Sequence, residues 1–137
     1  MSAPVRIQLR RTKGWRMPPN TVSVARPGKW GNPHAVCLDD IRDTGEEDEN
    51  GEPIKQGPWL CKMQPDRLAG WWFETEAEAV TKAVDLYRWR MTEAPMPACV
   101  ELRSQLHELR GKNLACWCPL DQPCHADVLL ELANGAA

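Results

Sequence analysis

The chain of 137 residues has the size of one domain, with a formal net charge of −2 and 26% charged side chains. That balance suits an ordinary soluble globule and does not single out a polyanionic partner. No apolar run of ~18 residues exists, so no membrane span is expected, and residues 1–11 lack the apolar stretch of ~7 residues that a secretory signal needs, so a cytoplasmic location is expected.

Along the chain, Val5 to Arg10 alternates apolar and polar residues and predicts a strand, with Val5, Ile7 and Leu9 on one face. Pro18-Pro19-Asn20 marks a loop, and Thr21 to Arg26 alternates again as a second strand. It runs into Arg26-Pro27-Gly28-Lys29-Trp30-Gly31-Asn32-Pro33, too rich in glycine and proline to be regular. Residues 43–57 are acidic, with glycines and a proline, and are expected to be an exposed, flexible insertion loop. Thr75-Glu76-Ala77-Glu78 has the residue types of a capping box, and Ala79, Val80, Ala83, Val84, Tyr87 and Met91 follow at helical spacing. A second helix is expected over Ala98 to Arg110, with Gly111 at its end. Asn113 to Cys118 reads as a buried strand, and a last helix opens at Cys124 or His125. The expected fold is α/β: a single small domain, residues 1–137, whose short mixed or parallel sheet is flanked by about three helices.

Charge is segregated along this order. Residues 1–38 hold seven basic side chains (Arg6, Arg10, Arg11, Lys13, Arg16, Arg26, Lys29) and no acid, whereas residues 39–52 hold eight acids against Arg42 alone. Six cysteines without an export signal point to reduced thiols, a metal site or a reactive thiolate rather than to a disulfide framework.

Four of the chemically loaded residues fall within ten positions, as C-W-C-x5-C-H. Cys116 and Cys118 lie two apart on a strand, so their sulfurs share a face. One reading is zinc held by Cys116, Cys118, Cys124 and His125, a Cys₃His set. A second is a thiolate nucleophile. Cys124 stands at a helix start, where the backbone dipole lowers a thiol pKa, and His125 and Asp127 supply a base and an orienting carboxylate in the same turn. In the third, the thiols are core and His125 and Asp127 are helix caps. The Arg26–Pro33 loop follows a strand end, where open α/β sheets bind ligands. Arg26 and Lys29 suit phosphate, Gly31 lets backbone approach a ligand, and Asn32 can read a base edge or sugar hydroxyl. Trp30 and Trp117 can stack on a ring. Equally, the loop is a turn whose Trp30 plugs the core.

Arg26-Pro27 with Lys29-Trp30-Gly31-Asn32-Pro33, joined to Leu109-Arg110-Gly111-Lys112, Leu114-Ala115-Cys116-Trp117-Cys118 and Cys124-His125-Ala126-Asp127-Val128-Leu129, resembles the domain of unknown function 4326 family of small phage and bacterial proteins. The likeness covers most of the chain, including Arg6-Ile7-Gln8-Leu9 and Pro18-Pro19-Asn20-Thr21. It implies that the two loaded segments recur together, and that residues 43–57 are an insertion relative to a shorter family middle. It names no reaction.

Two functions follow as expectations. The first is an enzyme acting on a nucleotide, nucleobase or related phosphorylated metabolite. There Cys118, Cys124, His125 and Asp127 do the chemistry, and Arg26, Lys29, Trp30, Gly31, Asn32 and Trp117 hold the small-molecule ligand. The second is a zinc-stabilised module that contacts nucleic acid or a host protein through its basic front end.

Overall fold

Alternation at the front of the chain and a short apolar run near its end build one sheet. In the computed structural model, which describes residues 3–39, 41–63 and 69–135, the strands β1 (Arg6–Gln8), β2 (Thr21–Ser23) and β8 (Asn113–Cys116) form a parallel sheet in the order β1-β8-β2. Register places Gln8 beside Cys116 and Ser23 beside Ala115. Because both pairings are parallel, all three strands end at the same edge. Leu9 N–H donates to the Cys116 carbonyl and Val24 N–H to that of Ala115, extending the pairing past each strand end.

The chain divides into two compact units, residues 1–32 with 84–137 and residues 33–83. In the first unit, α3 (His125–Asn134) and the C-terminal turns of α1 (Glu76–Thr92) pack with the parallel sheet around a core of Val24, Trp30, Tyr87, Met91, Leu109, Leu114 and Leu129. α1 starts where its sequence says it should: Thr75 Oγ1 accepts the Glu78 N–H at 3.2 Å and donates to the Glu78 carboxylate at 2.9 Å. α2 covers Pro97–Arg103 only, and a 3-10 turn at Leu106–Leu109 completes what the sequence predicts as one helix. The break falls at Ser104-Gln105, where the Ser104 hydroxyl donates to the Glu101 carbonyl and competes with the helical ladder. Gly111 ends the segment at φ +75°, a conformation glycine adopts without penalty.

The second unit is antiparallel and was not visible in the sequence pattern. β3 (Val36–Leu38), β6 (Trp59–Lys62) and β7 (Gly70–Phe73) form a sheet in the order β3-β6-β7, with Leu60 and Cys61 buried. Residues 43–57, expected as a loop, are paired for much of their length. β4 (Arg42–Glu47) and β5 (Pro53–Gln56) form an antiparallel hairpin. Its turn is held by Asp48, whose carboxylate accepts the N–H groups of Asn50 and Glu52, with Gly51 at φ +80°. The protein is thus mixed α/β, with three α-helices and eight strands among the described residues.

Candidate metal centre

The parallel sheet delivers three loops to one edge: residues 9–20 after β1, 24–32 after β2, and 117–124 after β8. The cysteine–histidine cluster lies there. β8 ends at Cys116, two residues short of the strand expected through Cys118, and the bend that follows leaves Trp117 exposed and Cys118 half-buried. Cys116 is 6% exposed, Cys118 half-buried, and Trp117 45% exposed. The Cys116 and Cys118 sulfurs are 3.8 Å apart. Across from them, fully buried Cys124 caps α3, and its Sγ lies 3.6 Å from His125 Nδ1. The ligand atoms of Cys116, Cys124 and His125 all lie within 4.8 Å of one another.

The His125 tautomer follows from its other nitrogen. Nε2 stands 2.7 Å from the Val24 carbonyl oxygen, which can only accept, so Nε2 carries the hydrogen and donates it. In the neutral ring Nδ1 then turns its lone pair toward the thiols. An imidazole bound to metal through one nitrogen and to a backbone carbonyl through the other has this arrangement. The Tyr87 ring meets the imidazole edge-on, with centroids 5.0 Å apart, and its hydroxyl donates to the Trp30 carbonyl at 2.6 Å. Burial, then the neighbouring thiols of Cys124, Cys116 and Cys99, keeps that phenol protonated.

Electrostatically the three sulfurs act as one group. Hydrogen bonds donated by Cys118 and then Cys124 hold Cys116 far below the ordinary thiol range. Donating to Cys116 raises Cys118, and donating to Cys116 and Cys118 raises Cys124. The three sulfurs thus hydrogen-bond to one another, with His125 Nδ1 facing Cys124.

This donor set fits zinc. A tetrahedron with zinc–sulfur bonds of ~2.3 Å and a zinc–nitrogen bond of ~2.05 Å has S···S edges of about 3.8 Å and S···N edges of about 3.6 Å. Two of the six edges, Cys116–Cys118 at 3.8 Å and Cys124–His125 at 3.6 Å, have those lengths, while the group of ligand atoms drawn within 4.8 Å of one another is Cys116, Cys124 and His125, with Cys118 beside it.

The other sequence-predicted residues have different partners. The Asp127 carboxylate accepts from Arg6 Nη1 at 2.9 Å and from the Cys124 N–H at 3.2 Å. The group that orients His125 is the Val24 carbonyl. Lys29 reaches Gln105 at 2.6 Å and Glu108 at 3.0 Å, and its ammonium lies 5.2 Å from the centre of the Trp30 ring. Trp30 is 4% exposed and belongs to the same buried cluster as Cys116 and Cys124. Gly31 packs against Arg26, where a Cβ would come within 2.9 Å of the Arg26 Cα. Arg26 is exposed and Asn32 half-buried. The two motifs thus meet through the core, with Tyr87 between them.

Sequence reasoning missed Arg6, Val24 and Tyr87. Arg6 is 8% exposed in its side chain, and besides Asp127 its guanidinium donates to the carbonyls of Pro119 at 3.1 Å and Leu120 at 2.8 Å. It clamps the cluster loop onto α3. The one available signal was an arginine inside a period-two strand, facing away from Val5, Ile7 and Leu9.

A family described as "Domain of unknown function (DUF4326)" matches residues 7–135. No curated protein and no solved structure matches the chain.

Proposed function

The chain belongs to the DUF4326 family, and we propose that it is a zinc-stabilised binding module whose ion is held by Cys116, Cys118, Cys124 and His125 Nδ1. The observation that carries this reading is the convergence of the Cys116, Cys124 and His125 ligand atoms within 4.8 Å of one another, with the Cys118 sulfur 3.8 Å from Cys116 and His125 Nε2 held by the Val24 carbonyl. Three thiolates and one imidazole close the coordination sphere, which is the character of a structural site. The ion ties the end of β8, the 117–124 loop and the start of α3 together, and Arg6 clamps the same loop from the other side.

Protein purified without added metal is expected to carry about one zinc per chain by elemental analysis. Chelation should lower the melting temperature by about 10 °C or more, because an ion bound well below its free concentration stabilises the folded state by several kcal/mol. Cys124→Ser should release the ion and reproduce that loss. A protein that purifies metal-free, binds no added zinc and melts unchanged in chelator removes the proposal.

A nucleotide-processing enzyme is the second reading. One observation favours it: the loops after β1, β2 and β8 leave at a common carboxyl edge, where parallel sheets bind ligands. It requires an open ligand position, so a metal-loaded protein that retains a water or anion on the ion, seen by X-ray absorption, would favour the enzyme over the closed module.

A further inference from the structure

The segment between β1 and β2 and the loop after β8 leave neighbouring strands at the same edge, and their side chains meet. The Arg11 guanidinium carbon lies 4.9 Å from the centroid of the Trp117 ring. Trp117 is nonetheless 45% exposed, so much of the indole faces water. Around it the segment turns on itself, with Trp15 N–H donating to the Thr12 carbonyl and Gly14 at φ +85°. That turn leaves Arg10, Arg11, Lys13 and Arg16 exposed within seven residues, with Trp15 half-buried among them. Among the described residues, Arg10, Lys13 and Arg16 form no ion pair. On the loop after β8 and the first turn of α3, Asp127 is paired with Arg6 and Asp121 is exposed.

From this juxtaposition we infer that the Arg10–Arg16 turn and Trp117 form a binding surface for single-stranded nucleic acid. The chemistry is that of sequence-tolerant strand binding: cations track the phosphates, and a flat ring offers a π-face to an unpaired base. Arg11 already stacks on the indole, which positions a cation beside the ring. A duplex offers phosphates but no open base face, so the aromatic element selects single strands. The inference shares with the metal reading the loop that presents Trp117, which the proposed ion would steady, but it does not require the ion.

Fluorescence anisotropy with a labelled 20-nucleotide single strand and with the same sequence as duplex tests it, with zinc content measured on each preparation. The single strand should bind more tightly than the duplex, and its log affinity should fall with log salt at a slope of about −3 if four phosphates are contacted. Trp117→Ala should weaken binding by roughly 5- to 150-fold, the range for loss of one stacked base. Lys13→Glu combined with Arg16→Glu should flatten the salt slope. Both variants alter exposed residues, and unchanged zinc content and circular dichroism would confirm that they fold. Zinc-loaded protein that binds neither strand, or binds duplex equally well, overturns the inference and leaves the metal centre standing. Failure on oligonucleotides with capture of an acidic peptide by the same residues likewise overturns it in favour of a protein surface. Metal-free protein that binds single strands through Trp117 upholds the inference and removes the zinc.

Discussion

Cys116, Cys118 and Cys124 share protons before any ion arrives, and this sets how the site must respond to pH. Hydrogen bonds from Cys118 and Cys124 lower Cys116, and donating to it raises Cys118 to about 11 and raises Cys124 as well. Zinc binds thiolates, so its entry displaces the two remaining protons. We expect about two protons released per zinc at pH 7, and an apparent affinity that rises by about two log units per pH unit between pH 6 and 8. The sign follows from the raised pKa values: throughout that window both leaving protons are on their sulfurs, so each step up in pH removes competitors of the metal. Indicator-dye proton release and zinc competition titrations at several pH values would check this. Release of no protons would mean that Cys118 and Cys124 are not ligands. The histidine contributes differently. Its hydrogen is committed to the Val24 carbonyl, so Nδ1 enters the sphere through geometry already built into the fold.

At the scale of elements, the Arg26–Pro33 loop acts as a brace behind the metal edge. Two successive turns, closed by Gly28 N–H to the Ala25 carbonyl and Gly31 N–H to the Gly28 carbonyl, bring Trp30 into the core and press Gly31 onto the backbone of Arg26. A Cβ at Gly31 would lie 2.5 Å from Arg26 Cγ, 2.9 Å from its Cα and 3.0 Å from its nitrogen, and the last two are backbone atoms that cannot swing away. Gly31→Ala should therefore cost about 1–3 kcal/mol in urea unfolding, the usual range for overpacking. A change below about 0.5 kcal/mol would show that the loop yields and does not brace the core. The elements that sequence made legible are those with a strong period or a chemical punctuation mark. Thr75 and Glu78 announced α1, alternation announced β1 and β2, and the apolar run after Gly111 announced β8, which nonetheless stops at Cys116. β3, β6 and β7 were illegible because each has only three or four residues, too few to show a period, and tryptophans take both faces of Gly70–Phe73. The cluster residues themselves were readable from spacing. Their supports were not, because Arg6 and Asp127 are 121 positions apart and the Val24 contribution is a main-chain carbonyl with no side-chain signature.

Across the whole molecule, charge is divided by chain segment rather than balanced locally, and the hairpin is where the acid is concentrated. Glu46, Glu47, Asp48, Glu49 and Glu52 are all exposed on β4, β5 and their connection. On either side of it, β3 and β6 pair directly, with Leu38 opposite Trp59 and Asp39 N–H donating to the Pro58 carbonyl at 2.7 Å. The chain is therefore already closed at the base of the hairpin, and residues 40–57 can be replaced by a short glycine-containing turn without breaking that ladder. The excision removes seven acids and two bases and moves the formal net charge from −2 to about +3. The shortened protein should keep one zinc per chain and its helical circular dichroism, since no hairpin residue belongs to the core around the cluster. At about 50 mM salt it should bind a single-stranded oligonucleotide several-fold more tightly than the full chain. That advantage should fade toward 0.5 M salt, where screening shortens to a few ångströms. If excision releases the zinc or abolishes folding, the hairpin is an integral part of the domain and the insertion reading fails. If folding and zinc persist but the affinity gain survives high salt, the gain does not come from the removed charge and the electrostatic account of the hairpin fails.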